Sequence, residues 1–432
     1  MKGIENCKRN NWYETIIKYL CIISLFFSFT NYIFISAVST LTVIFFIPLL
    51  FKNGGRVNYF AFSILCFYLI SIVGGMIIEP AQFLSFEFYR RDGNLFISFT
   101  PLLILCLCNI KFDVWKTVAF FVLISTVADF AGIVFHLIKR STPEYFMWFT
   151  AHNAAGGFLS ILCIATIFVI LHYFKNGFAV LLFSACFIIN FVGLYLTKSR
   201  GSFLTFILAI LIFVLMKNNK KVDFIIFTVI FVLFFAMELY VVGVMGDSAI
   251  ASASQYEIPK EFKEDKFFSS ISSLFIMRSH TVIDRIFCIW SKAIYLFLKS
   301  PLIGVGYGGY NDVPYNLIGI ENVISLNFSE QVASNSSHAH NTFFHVLAEQ
   351  GIIGFILLLI MIFEMKKTIL NEQDEKLRSM LLIMFLYAIG SSFFEHRFFT
   401  PAQMIPFLLI LGITISTRNY YGKYEGESKK LY

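Results

Sequence analysis

The chain has 432 residues, of which 58% are hydrophobic and 14% charged, and 54 are Phe. A soluble domain lies near half apolar and a quarter charged, so this composition excludes an ordinary soluble fold and points to an integral membrane protein. The formal charge of +7 does not signal nucleic acid, because in such a chain the informative quantity is where Lys and Arg fall along the sequence.

From the N-terminus, MKGIENCKRN runs into a long apolar stretch without a convincing cleavage site, so it is read as a retained anchor rather than a removed signal. Apolar windows near twenty residues follow at roughly 14–30, 32–51, 58–78, 94–110, 115–137, 154–173, 178–196, 202–216, 223–245, 343–364, 379–394 and 402–417. The expected architecture is an all-α polytopic membrane protein with about twelve transmembrane helices and one large loop between helices nine and ten. Its parts would be 1–246 with helices one to nine, 247–341 as the loop, and 342–432 with helices ten to twelve and a tail. Most of the eight cysteines lie inside apolar runs, where Cys acts as a small hydrophobe, and there is no CxxC or Cys/His zinc spacing. Only Cys288 falls in the large polar region, so no disulfide is expected there.

Sidedness follows from the cations. With the N-terminus inside, the inner segments hold 20 of the 34 Lys and Arg, the short outer loops hold seven, and the remainder sit in the long loop, where the rule has little force. Both termini are therefore expected inside and the long loop outside. Five of the seven outer cations are Arg (Arg90, Arg91, Arg140, Arg200 and Arg397), whereas most inner ones are Lys. A guanidinium fork suits phosphate, although a single Arg also snorkels at any helix end. As a set they favour an outward-facing anion site.

The long loop opens on a polar, poorly periodic stretch and continues into RIFCIWSKAIYLFLKSP. There Arg285, Lys292 and Lys299 recur every seven residues, so they share one face of an amphipathic helix at about 285–300, turned outward or toward a cleft. The following PLIGVGYGGY is glycine-rich, but it has no GK[ST] and no flanking strand, so it is read as a bendable or re-entrant segment rather than a phosphate loop.

Polar residues concentrate at outer helix ends. In HAHNTFFHVLAEQGIIGF, 338–355, His340 and Asn341 stand at the start of a helix entering the membrane. The positive end of a helix disfavours imidazolium, and a neutral imidazole is what a general base needs near pH 7. Asn341 can cap free backbone N–H groups, and Gly351 and Gly354 are expected to admit a neighbouring helix. Zinc held by His338 and His340 lacks a visible third ligand. Three other stretches follow the same logic: LTKSRGSFLTF with Arg200, AHNAAGGF with His152 and Asn153, and FFEHRFFTP with Glu395, His396 and Arg397. Together they suit a transfer from a lipid-linked, phosphate-bearing donor, with Arg holding pyrophosphate and His deprotonating an acceptor hydroxyl.

At these residues the chain resembles the O-antigen ligase and polymerase superfamily of bacterial inner membranes. The resemblance rests on His340-Asn341, nine residues, then Gly351-Ile352-Ile353-Gly354, on Ser199-Arg200 opening a helix before the loop, and on Arg285 preceding an amphipathic helix that ends at Ser300-Pro301. It implies a metal-independent, inverting glycosyltransferase with no cofactor, an active site at the periplasmic face, and both termini cytoplasmic. It also implies an undecaprenyl-pyrophosphate-linked glycan donor, a lipid A-core acceptor, and no nucleic acid. Other polysaccharide-assembly proteins would be further contacts. His340 would be the base and Arg200 and Arg285 the pyrophosphate clamp, with Arg278 as the alternative to Arg285, and with Asn341, His338 and Arg397 in support. A repeat-unit polymerase, a ligase acting on protein hydroxyls, and a flippase for lipid-linked glycan remain the alternatives. The flippase would place charges near the midplane and repeat one half in the other, and neither is evident.

Overall fold

A computed structural model describes residues 12–30, 32–53, 58–78, 80, 95–139, 144–149, 151–216, 289–311, 338–393, 395 and 398–428. Among these residues the secondary structure is helical, without strands. In chain order the helices are α1 (Trp12–Phe26), α2 (Tyr32–Asn53), α3 (Tyr59–Ile78), α4 (Leu95–Leu107), α5 (Val114–Lys139), α6 (His152–His172), α7 (Gly177–Leu196), α8 (Arg200–Met216), α9 (Ser291–Lys299), α10 (Thr342–Leu370), α11 (Glu375–Ser392) and α12 (Pro401–Ser428). Among the described residues, five helices are long and apolar enough to cross a membrane: Tyr59–Ile77, Val114–Lys139, His152–His172, Gly177–Leu196 and Thr342–Leu370. The protein is a helical membrane protein, as the composition requires: in hydrocarbon, a helix satisfies its own backbone polar groups. The expected span at 223–245 and the N-terminal MKGIENCKRN lie outside the described residues, and the expected loop 247–341 is described only over 289–311 and 338–341. The described cysteines, Cys21, Cys66, Cys106, Cys108, Cys163 and Cys186, are free thiols.

Two helices form the centre. α12 is buried at every position from Gln403 to Ser416, and α6 is nearly as enclosed. α12 packs on α4 and α6, and α6 also meets α5, α7 and α11. A helix that is apolar all round belongs inside a bundle, and α6 and the 403–416 part of α12 are close to that. The outer helices α5, α7 and α10 instead expose Phe120, Phe130, Leu181, Ile188 and Phe363, a surface suited to lipid tails.

The helix ends separate into two polar layers. At one, Lys18 Nζ donates to the Lys111 carbonyl at 2.7 Å and Lys376 Nζ to the Leu171 carbonyl at 2.7 Å. In the same layer Trp115 Nε1 donates to Asp374 Oδ2 at 2.8 Å, and Arg418 reaches the Thr368 carbonyl at 3.3 Å. Cations on terminal carbonyls complement the negative helix end. The other layer holds the starts of α6, α8, α10 and α12 and the ends of α7 and α11, and it contains the candidate site.

The path of α10 is broken at Gly351, whose φ of 62° and ψ of −162° only glycine adopts freely. The chain at 301–306 lies in this break. Val305 N–H donates to the Ala348 carbonyl and Gly306 N–H to Glu349, each at 2.9 Å. In return Ile352 N–H donates to Pro301 at 2.8 Å and Ile353 N–H to Leu302 at 3.3 Å. Backbone groups freed by the break are thus paired, which hydrocarbon depth demands. A Cβ at Gly351 would stand 2.4 Å from the Leu302 carbonyl carbon, and one at Gly304 2.2 Å from that of Glu349. Gly351 therefore receives a loop, not the neighbouring helix expected from sequence. Gly354 leaves room for the side chain of Gln350, which donates to Ser71 Oγ on α3 at 3.0 Å.

Of the loop helix expected at about 285–300, the described part is α9, Ser291–Lys299, and 285–288 lie outside the described residues. Its cations do not form one exposed stripe. Lys299 is exposed, whereas Lys292 is buried at 4% exposure, its Nζ 4.6 Å from the centre of the Tyr310 ring. Burial of Lys292 follows from the docking of α9 on α10, which turns Ile294 and Leu298 outward instead.

Gly351→Ala is expected to destabilise the protein by more than the roughly 1–3 kcal/mol of backbone strain, because the methyl also meets loop backbone. Thermal unfolding in detergent should show a lowered midpoint. Gly177→Ala, whose added Cβ meets nothing within 4 Å, should leave the midpoint unchanged or raised.

Candidate active site

His340 takes a left-handed backbone, φ 47°, immediately before α10. That turn lets Asn341, extended at φ −160°, serve as the N-cap: its Oδ1 accepts from Phe343 N–H at 2.9 Å and Phe344 N–H at 3.1 Å. Two free donors at the helix end are thereby satisfied. Asn341 Nδ2 donates to the Phe393 carbonyl at 3.2 Å, and Thr342 Oγ1 to the Glu395 carbonyl at 3.4 Å. The start of α10 is cross-bonded to the segment that follows α11.

That segment brings Glu395 to His340. Glu395 Oε2 lies 2.7 Å from His340 Nδ1, with the His340 side chain 27% exposed and that of Glu395 10%. A carboxylate on Nδ1 fixes that nitrogen as the N–H and leaves Nε2 as the free base. The His338 ring meets the His340 ring edge to face, with centroids 4.4 Å apart. Loss of water around the His338 imidazole, and then the neighbouring His340, push its pKa down to about 3, so it stays neutral across the physiological range.

A polar chain continues from Glu395 across the bundle. Asn153 Nδ2, at the start of α6, donates to Glu395 Oε1 at 3.5 Å. Ser199 Oγ donates to Asn153 Oδ1 at 2.9 Å and lies 2.7 Å from Ser202 Oγ. Ser199 precedes Arg200, whose backbone opens α8, and Lys198 before it is left-handed at φ 54°. Two of the three non-glycine residues with positive φ among the described residues thus lie at the candidate site, and strained backbone of this kind clusters at functional positions.

His345 has a structural task. Its Nδ1 accepts from Ala339 N–H at 3.4 Å, and its Nε2 lies 3.3 Å from Glu349 Oε2. Glu349 in turn accepts from Tyr310 N–H at 3.2 Å. The buried Glu349 therefore finds partners facing the protein interior, as its cost in a membrane helix demands.

Residues 185–359 match the family model described as O-antigen ligase. By this match the segment is similar to O-antigen ligases. It contains α8, α9, the kink at Gly351 and the residues Ser199, Arg200, Arg285, His338, His340 and Asn341. No curated protein matches the chain.

Of the residues singled out from sequence, the structure brings His338, His340 and Asn341 together and ties the Arg200 turn to them. Arg200 is described in its backbone alone, and Arg285, Arg278 and Arg397 lie outside the described residues. Glu395 was visible in FFEHRFFTP, yet Arg397 was preferred there. Both Glu395 and Asn153 fall outside the matched segment and reach it through packing. Glu395 also supplies the third ligand atom that sequence did not reveal beside His338 and His340: the three groups' ligand atoms lie within 4.8 Å of one another.

Asn341→Ala should remove the cap at a cost of about 0.5–2 kcal/mol. Amide exchange should then quicken at Phe343 and Phe344, while exchange within α6 stays unchanged.

Proposed function

We propose that this protein is a glycosyltransferase moving O-antigen polysaccharide from undecaprenyl pyrophosphate to a sugar hydroxyl of lipid A-core at the periplasmic face of the bacterial inner membrane. The observation that carries the reading is the His340–Glu395 pair, 2.7 Å apart at the entry of α10, linked through Asn153 and Ser199 to the turn that presents Arg200. The match of 185–359 to the O-antigen ligase model supports lipid-linked polysaccharide as the substrate class.

The proposed chemistry is one displacement. His340 Nε2 removes the proton from the acceptor hydroxyl, whose oxygen attacks the anomeric carbon. The bond from that carbon to the pyrophosphate oxygen breaks with inversion. Undecaprenyl pyrophosphate leaves with the negative charge, held by Arg200 and Arg285, with Arg397 in support. Glu395 holds the His340 tautomer and stabilises the imidazolium formed. No nucleotide enters, because the donor already carries its leaving group, and in this reading the arginines rather than a metal take up the pyrophosphate charge.

Orientation rests on the two polar layers. The layer with Lys18, Lys111, Lys116, Lys175 and Lys376 is taken as cytoplasmic and the His340 layer as periplasmic. On this reading the chain has twelve spans, both termini inside, and the loop 247–341 between spans nine and ten.

The test mixes purified protein, lipid-linked glycan and lipid A-core in detergent, without nucleotide or gradient. Product supports the transferase, and its absence favours a flippase. In a deletion strain, lipid-linked polymer accumulating with none on lipid A-core marks a ligase, whereas one retained repeat unit marks a polymerase. His340→Ala should lower transfer by roughly 10²–10⁴-fold while the protein stays in the membrane. Arg200→Lys should cost about 1.5–3 kcal/mol, roughly tenfold or more, and a mild effect would favour a snorkelling role. Glu395→Gln should lower kcat and alter its pH profile, and an unchanged profile would leave Glu395 a purely structural role.

A further inference from the structure

His338, His340 and Glu395 present two imidazoles and a carboxylate whose ligand atoms lie within 4.8 Å of one another. We propose that these residues form a binding site for Zn²⁺ and that occupancy of the site shuts off His340. The binding itself does not depend on the transfer reaction; the shut-off rests on the role proposed for His340 above.

The donor set selects the ion. Two nitrogens and one carboxylate oxygen, with a fourth position open, are the ligands of three-residue zinc centres. Mg²⁺ and Ca²⁺ take sets of oxygens, so they are poor occupants. His340 remains 27% exposed at its side chain, which leaves a route for the ion and room for a water or anion as fourth ligand.

The backbone around the three residues is already fixed. Ala339, between the two histidines, is fully buried and donates to His345 Nδ1. Asn341 and Thr342 each bond the 393–395 segment, at 3.2 and 3.4 Å. The contact of 2.7 Å between His340 Nδ1 and Glu395 Oε2 is a hydrogen bond, and the ion would displace its proton. Little chain ordering is then left for the ion to impose. With Zn²⁺ on Nδ1 the ring carries its proton on Nε2, so Nε2 cannot serve as the base, and the same ring serves either the metal or the acceptor hydroxyl.

The experiment uses full-length protein in detergent without a histidine tag. Titration with Co²⁺ as the spectroscopic probe should give intense tetrahedral visible bands at one ion per chain, displaced by Zn²⁺ and unaffected by excess Mg²⁺. His338→Ala and Glu395→Gln should each weaken Zn²⁺ binding by at least about tenfold. His172→Ala, in the opposite polar layer and stacked on Trp115, should bind as the wild type does. Equal binding by all variants, or only weak octahedral Co²⁺ bands, would overturn the site. Where the protein is active, Zn²⁺ at one equivalent should halt transfer and a chelator should restore it. Full transfer by the zinc-loaded protein would overturn the shut-off while leaving the bands intact. Loss of the transfer reading would likewise leave the Co²⁺ bands in place, so the two failures are separable.

Discussion

Four backbone hydrogen bonds across the break at Gly351 position most of what matters in this protein. A helix interrupted at hydrocarbon depth leaves donors and acceptors that water cannot reach, and each left bare is costly. The 301–306 backbone supplies the missing partners. The loop is thereby locked to α10, α9 is carried against the first turns of α10, and the entry of α10 is aimed where His340 can meet Glu395. Two glycines allow the interlock, since backbone atoms stand where a side chain at Gly351 or Gly304 would begin. The Glu349 carboxylate, two residues before the break, reinforces it by holding Tyr310 N–H and His345 together.

The site is assembled from both sides of the family segment. The 185–359 region brings the histidines, the capping Asn341 and the turn that leads into Arg200. The carboxylate that orients His340 arrives from beyond α11, and the amide that touches this carboxylate arrives from the start of α6. Helix ends in one polar layer are the natural source of such a constellation. They are the places in a bundle where unsatisfied backbone groups, dipoles and water access coincide.

Much of this was legible in the chain. Hydropathy gave the helical membrane fold, and the stretch around His340-Asn341 gave the helix start with its cap, because both signals are local. AHNAAGGF, LTKSRGSFLTF and FFEHRFFTP were also recognisable as helix ends carrying polar groups. What could not be read was which polar residue touches which. Glu395 and His340 are 55 positions apart, and their meeting depends on the packing of α10 and α11. The glycine pair misled in a physical way: spacing of small residues is the same signal for a close helix as for a break that admits a loop. The burial of Lys292 was hidden likewise, since a seven-residue repeat reports a shared face without reporting what covers it.

The left-handed backbone at His340 narrows the substitutions open to that position in two independent ways. The base role proposed for it asks for a side chain that can accept a proton. The backbone asks for a residue at ease with φ 47°, which among non-glycine types favours Asn, Asp and His. Asn meets the second demand and fails the first. Asp would set a second carboxylate against Glu395 and raise the cost of charging either one. Lys and Glu could trade protons but fall outside the favoured backbone types. Under the proposed role histidine alone satisfies both filters, so replacement at this position is limited by conformation as well as by reactivity.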